Sequence, residues 1–416
     1  MKKILSILLS LTMLLLTACG GSNVSSNSGS GNTSAPADIG SVEPPAVIDS
    51  IYTDLTGIPG EKTVVTVNGN EVPAALYLYW TVTSAQNLIY QLQMYAMYYG
   101  MYTDAFGTDG SIDWNYEIST GVTLARYLEQ QAQSAARYYT TVENMARESG
   151  TVLTDEDRAA MAEENAQIAE QYRAQLVEKD PSAADLSAEE IMAKYLETIG
   201  INAALQERLG SVYYLYQHLE EQVMTPGSTL YLEDADCNQY GYFADHILIS
   251  TIDNETRQPL SEEEILEKTA LARELLTRLE DSSDPAELFG RLADEYSEDP
   301  GRQTNPNGYI FTPGTMVQEF ESATEALEFG EISGIVQSDY GYHIILRKDV
   351  AWGLELYPDQ KAMFVEEHLN ALLNLKMFDS EVVFDESLTG FDYVKFYEDY
   401  TAMLKTLSGS AETATE

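Results

Sequence analysis

Two short apolar runs, each built around a histidine, bracket a segment of about 110 residues, a size at which a chain folds as an independent unit. The first is Ala244-Asp245-His246-Ile247-Leu248-Ile249, and the second is Asp339-Tyr340-Gly341-Tyr342-His343-Ile344-Ile345, preceded by Gly330-Glu331-Ile332-Ser333. Both read as strands. The chain has only four histidines, so half of them fall in these two matching contexts.

The residues between the runs fill in a small α+β unit. A strand is expected from Tyr242 to Ser250. Ser261 with Glu264 forms a capping box for a helix that places Ile265, Ala272, Leu276 and Leu279 on one face. Asp284-Pro285 opens a second helix, with proline at its first position and Phe289, Leu292, Ala293 and Tyr296 along it. A strand near Tyr309–Phe311, a helix over about 317–327 and strands near Ile335 and over 342–347 complete the order β-α-α-β-α-β-β.

The flanks read differently. Val64 to Val72 alternates and turns at Asn68-Gly69, as a hairpin does. Helical segments follow over about 74–102, 120–148, 155–179 and 187–223, with capping signals at Thr154/Asp157 and Ser187/Glu190. Thr225-Pro226-Gly227-Ser228 breaks the pattern, which puts a domain edge near residue 230. Beyond Lys348 the chain turns helical again, at about 358–378 and 391–407. The α+β unit, residues 240–348, is thus expected to be inserted in a helical body formed by 61–230, with the helices of 355–407 packing back on it. Residues 408–416 are expected to be a disordered tail.

At the N-terminus, Met1-Lys2-Lys3 precedes an apolar stretch from Ile4 to Leu16 and then Thr17-Ala18-Cys19-Gly20, the order of an export signal too short to span a bilayer. Leu16-Thr17-Ala18-Cys19 resembles a bacterial lipobox, which implies removal of residues 1–18 and diacylglycerol on Cys19. Acyl chains contribute about 0.8 kcal/mol per buried CH₂, enough in combination to hold a folded body at a membrane. Residues 19–60 read as a tether, its Gly-, Ser- and Asn-rich part from Gly20 to Ser41 carrying too little apolar surface to collapse. The other cysteine is Cys237, so once Cys19 is lipidated the fold rests on its core and not on an intramolecular disulfide.

Twenty-three lysines and arginines face 67 acids, a formal charge of −44. Such a field repels nucleic acid and anionic surfaces and excludes a phosphate-tracking role. The acids are spread along helical segments, which reads as solvated helix faces. The run Met94-Tyr95-Ala96-Met97-Tyr98-Tyr99-Gly100-Met101-Tyr102 is rich in adaptable apolar groups and suits either a soft surface for unfolded chains or a core stripe.

Four stretches carry a family resemblance: Ala244-Asp245-His246-Ile247-Leu248, Leu292-Ala293-Asp294-Glu295-Tyr296-Ser297-Glu298-Asp299, Gly314-Thr315-Met316-Val317-Gln318-Glu319-Phe320-Glu321 and Gly341-Tyr342-His343-Ile344-Ile345. In order and spacing they resemble parvulin-type peptidyl-prolyl isomerases. The flanking signal, hairpin and helices resemble the PrsA and SurA class of extracytoplasmic foldases. The resemblance implies a four-stranded antiparallel sheet with helices, inserted in a mostly α-helical chaperone-like domain. It implies catalytic positions at His246, Asp299, His343 and Ser338, and substrate-binding positions at Met316, Phe320, Tyr340 and Ile310.

In that frame Met316 and Phe320 grip the proline ring, the histidines pair behind it, and Ser338 is their hydroxyl neighbour. Asp299 acts on the amide electrostatically or by hydrogen bonding. Rotation about an X-Pro bond faces a barrier of about 18–20 kcal/mol, set by amide resonance, and needs neither cofactor nor metal. Here the run Asn305-Pro306-Asn307-Gly308-Tyr309-Ile310 replaces the family's Gly-Gly-x-Leu-Gly, so Tyr309 or Ile310 takes the place of the lining leucine.

The expected partners are unfolded or partly folded exported proteins with X-Pro bonds, and the membrane through Cys19. The expected location is the outer face of the cell membrane. Nucleic acid is excluded and a homodimer is allowed. Two other functions compete with an isomerase and foldase. A holdase whose isomerase domain binds without turnover fits the altered 305–310 run, whereas a solute-binding lipoprotein is disfavoured by the long helical blocks.

Overall fold

The computed structural model describes residues 51–407 apart from Asn254. The expected signal peptide, Cys19, the tether as far as residue 50 and the tail 408–416 lie outside the described residues. The chain divides into two compact units, one made of the residues up to Leu219 together with those from Leu372 onward, the other of Glu220–Ala371.

The first unit opens with α1 (Ile51–Thr56), whose Tyr52 is fully buried, so the expected tether stops short of residue 60. The hairpin follows as β1 (Thr63–Val67) and β2 (Asn70–Pro73), with Asn68 and Gly69 both at positive φ in the turn. That is the conformation an Asn-Gly hairpin turn requires. Next come α2 (Ala74–Tyr99), a short antiparallel pair β3 (Glu117–Ser119) and β4 (Val122–Thr123), α3 (Leu124–Ser149) and α4 (Asp155–Lys179).

The helix expected over 187–223 is two helices, α5 (Ala188–Ile199) and α6 (Ala203–Met224). Gly200 closes α5 at φ +75°, and a Cβ there would come within 2.6 Å of the Tyr52 ring. Tyr52 also donates its hydroxyl to the Ile199 carbonyl at 2.6 Å. A left-handed glycine pressed against an aromatic ring ends the helix whatever the periodicity beyond it. Both expected capping boxes form, at Thr154/Asp157 and Ser187/Glu190.

In the second unit β5 (Tyr242–Ser250) leads to α7 (Glu262–Glu280), α8 (Pro285–Tyr296), β6 (Tyr309–Phe311), α9 (Gln318–Ala326), β7 (Val336–Ser338) and β8 (Gly341–Lys348). The strands form an antiparallel sheet of order β6-β5-β8-β7, and β5 pairs with β8 along its length from Phe243↔Lys348 to Ser250↔Gly341. Alternation divides the side chains between two faces. Ile247, Ile249, Ile344 and Leu346 pack on α7 and α8 through Ala272, Leu275, Phe289 and Leu292. Ala244 and Ile345 face the other way, onto Phe311 and Phe320.

After β8 an unexpected helix, α10 (Val350–Leu356), is capped by Asp349, and Pro358–Phe364 is a 3-10 turn leading into α11 (Val365–Phe378) where one helix was expected. Back in the first unit, β9 (Val382–Phe384) pairs with β1, giving the sheet order β2-β1-β9, and α12 (Tyr393–Leu407) ends the described chain. Tyr393, Phe396 and Tyr400 of the last helix share one core with Leu76, Trp80 and Leu128. Cys237 is a free, buried thiol. Among the described residues no helix is long and apolar enough to cross a membrane.

Candidate active site

The face of the second unit's sheet that turns toward α9 carries the two histidines. His246 lies opposite Ile345 and Leu248 opposite His343, so the imidazoles are diagonal neighbours across β5 and β8. Their Nδ1 atoms are 3.0 Å apart, and both rings are buried. His246 Nε2 meets Asp299 Oδ2 at 2.9 Å, and His343 Nε2 meets the buried Ser338 hydroxyl at 2.8 Å.

These contacts assign the protons. A carboxylate only accepts, so His246 donates from Nε2 to Asp299, and the tautomer in which its Nδ1 accepts continues the chain. His343 must then donate from Nδ1 and accept the Ser338 hydroxyl at Nε2. Ser338 Oγ in turn accepts the Tyr340 N–H at 3.1 Å. The result is one directed chain, Ser338 to His343 to His246 to Asp299, ending on a negative charge. Burial, together with the neighbouring His246, pushes the His343 imidazole down to about 3, which keeps it neutral.

Asp299 is held from several sides. The Ser297 hydroxyl accepts the Leu248 N–H at 3.1 Å, the Glu298 N–H donates to the Leu248 carbonyl at 2.8 Å, and Glu298 accepts the Ser250 N–H at 2.7 Å. Arg302, one turn further on, donates to the buried Asp245 at 2.7 Å, and Lys348 reaches the other Asp245 oxygen at 3.1 Å. The loop from Ser297 to Arg302 is thereby fastened along β5.

Around the carboxylate, Tyr309 donates its hydroxyl to Oδ2 at 2.5 Å and the Gly301 N–H donates to Oδ1 at 3.0 Å. Burial alone raises the Asp299 carboxyl, but the hydrogen bonds from His246, Tyr309 and Gly301 outweigh it and hold the group at about 2. The Tyr309 phenol is pushed well above its usual value by burial and by the carboxylate it serves.

The apolar residues gather on the same face. Phe320 stands edge-on to His246 and His343, with ring centroids at 5.2 and 5.6 Å, and also touches Phe311. Half-buried Met316 packs against this cluster. Among the expected site residues, His246, His343, Ser338, Asp299, Phe320 and Met316 are therefore brought together.

Ile310 is not. It pairs with Phe243 on β6 and β5, and its Cδ1 lies 2.9 Å from where a Cβ on Gly353 would stand, beside Phe243 Cδ1 at 2.8 Å. One step along a strand reverses the side chain, so Ile310 faces away from His246 and Tyr309 faces toward it. Tyr340 joins the network only through its backbone, while its ring lies under the Arg257 guanidinium at 5.0 Å. The Asp245–Arg302 pair went unread in the sequence, although Asp245 stands inside the first histidine run. Among the described residues no cluster of three or more histidine, cysteine, aspartate or glutamate side chains could hold a metal ion.

Residues 246–349 match the rotamase family, described as a PPIC-type PPIase domain. The chain carries a PPIC-type rotamase domain. Similarity reaches the foldase protein PrsA of Geobacillus kaustophilus, 49% identical over 80 residues that make up 19% of this chain and 26% of that protein. The PrsA of Halalkalibacterium halodurans is 36% identical over 163 residues, 39% of this chain and 44% of that protein. The chaperone SurA of Chromohalobacter salexigens is 39% identical over 105 residues, 25% of this chain and 21% of that protein. The chain spans less than half the length of these curated relatives. The rotamase domain holds every candidate site residue from His246 to His343.

Proposed function

We propose that the protein is a peptidyl-prolyl cis-trans isomerase and foldase that acts on exported, incompletely folded proteins at the outer face of the cell membrane, held there by lipid on Cys19. The observation that carries this reading is the gathering of Met316 and Phe320 in one apolar cluster beside His246, whose other side holds a single oriented carboxylate at Asp299. Met316 and Phe320 receive the proline ring. Twisting the X-Pro bond breaks amide resonance and returns electron density to nitrogen, and fixed charges beside the bond favour that twisted state over the planar one. The hydrogen-bonded chain linking Ser338, His343 and His246 orients Asp299. No bond is made or broken and no cofactor enters. The PrsA and SurA relatives support the foldase role, and the N-terminal sequence supports the anchor.

A second reading has its own support. Tyr309 places a hydroxyl on Asp299 and its ring edge-on to His246, at 5.8 Å, where an incoming peptide would compete with it. A domain so occupied binds proline segments without turnover and acts as a holdase. Refolding of a substrate limited by proline isomerisation, with the wild type and Asp299→Ala, separates the two. Acceleration by the wild type that falls in the variant supports the isomerase. An unchanged slow phase with suppressed aggregation replaces it with the holdase.

A further inference from the structure

From Thr63 to Ala125 the chain contains no lysine or arginine and five acids, Glu71, Asp104, Asp109, Asp113 and Glu117. Within that stretch α2 runs for 26 residues without one charged side chain. Burial explains the first part of the helix, where Leu76, Tyr77, Leu78, Trp80, Leu88 and Leu92 enter the core. It does not explain the end. Met97, Tyr98 and Tyr99 are 74, 68 and 72% exposed, and Tyr95 and Met101 are 42 and 47% exposed.

A helix turn that faces water ordinarily carries charge, and adjoining large apolar side chains in that position mark an interaction surface. The tyrosines are also organised. Tyr95 meets Tyr99 at 5.9 Å and Tyr102 at 6.0 Å, and Tyr102 meets Tyr116 at 6.5 Å, so the rings join the helix end to the following loop. That loop holds Asp104, Asp109, Asp113 and Glu117, all exposed. The cations on adjoining elements are committed. Arg126 at the start of α3 pairs with Glu129, and Lys395 on α12, whose Tyr397 meets Trp114 of the loop, pairs with Asp399.

We propose that the end of α2 and the acidic loop after it form a docking surface for unfolded polypeptide segments in which lysine or arginine stands among apolar residues. The proposal rests on the foldase reading and adds the class of client. Tyrosine faces attract cations, methionine adapts to unlike apolar partners, and the carboxylates supply the matching charge. A formal charge of −44 draws cationic segments in, and it opposes a second copy of this chain and an anionic bilayer.

The test uses the mature full chain and two short proline-free peptides with identical apolar residues, one bearing lysine and the other glutamate at the charged positions. The absence of proline keeps the rotamase domain out of the measurement. Fluorescence anisotropy should give binding of the lysine peptide at least about tenfold tighter, a difference shrinking with salt. Met97→Ser with Tyr98→Ser and Tyr99→Ser should abolish that preference, and so should Asp104→Lys with Glu117→Lys. Turnover of a short proline peptide should be unchanged in both variants.

Equal binding of the two peptides, or full binding by either variant, overturns the proposal. So does concentration-dependent self-association that the serine variant abolishes, because a second copy then covers the patch. A protein that captures the lysine peptide yet lacks turnover upholds this surface while the isomerase reading fails, so the two are separable.

Discussion

Replacing Asp299 with asparagine keeps the shape of the side chain and removes the charge on which the buried chain of hydrogen bonds ends. Three donors converge on the carboxylate, from His246, Tyr309 and the Gly301 backbone. An asparagine oxygen can face Oδ2's donors or the Gly301 N–H, and its NH₂ group then opposes whichever is left. The carboxyl is held at about 2 against a usual 3.8. At about 1.36 kcal/mol per pKa unit, ionised Asp299 contributes on the order of 2–3 kcal/mol to the rotamase domain at neutral pH.

Because the folded value lies below the unfolded one, that contribution is complete above about pH 4 and is lost as pH falls through about 2. Hydrogen exchange of the β5 and β8 amides, corrected for the intrinsic effect of pH, measures it in the full chain. Asp299→Asn should lower their protection at pH 7 by roughly 30- to 150-fold, and the gap should narrow steadily below pH 4. Equal protection at pH 7, or a gap of the same size in acid, would refute the claim that a charged Asp299 anchors the network.

Two further outcomes test the same geometry. His343 should stay neutral down to about pH 3, because its folded pKa lies below the usual 6.5. The unfolded chain then takes up that proton first, so the domain loses stability as pH falls from about 6.5 toward 3; an imidazole NMR titration of His343 with a midpoint near 6 contradicts the proton assignment. Tyr309→Phe removes one donor from Asp299, and Gly301→Ala displaces the same hydroxyl, since a Cβ there would stand 2.1 Å from it. Both should raise the Asp299 carboxyl from about 2 toward its usual value in a carboxyl NMR titration, and no rise in either variant removes Tyr309 from the site.

Local signals in the sequence carried most of the rotamase domain. The capping box at Ser261/Glu264 and the proline after Asp284 start their helices at the expected residues, because both act through near neighbours. The histidine runs locate β5 and β8 for the same reason. What escaped depends on distant partners. Gly200 ends a helix because Tyr52 packs on it, and β9 is a strand because β1 accepts it; neither contact leaves a mark in the local pattern. The choice between Tyr309 and Ile310 was decided by strand parity. It follows from the pairing of Ile310 with Phe243, which a single sequence does not reveal.

The pairing of β9 with β1 also bears on synthesis. The first unit's central strand waits for a partner that lies beyond the entire rotamase domain, and Lys62 waits likewise for Asp385, its ion-pair partner at 2.7 Å. Until residues 382–385 have emerged, β1 has an open edge, the kind of template on which nascent chains stick to one another. A product truncated before that point would keep its rotamase sequence whole and still carry the hazard, so the first unit has an assembly deadline of its own.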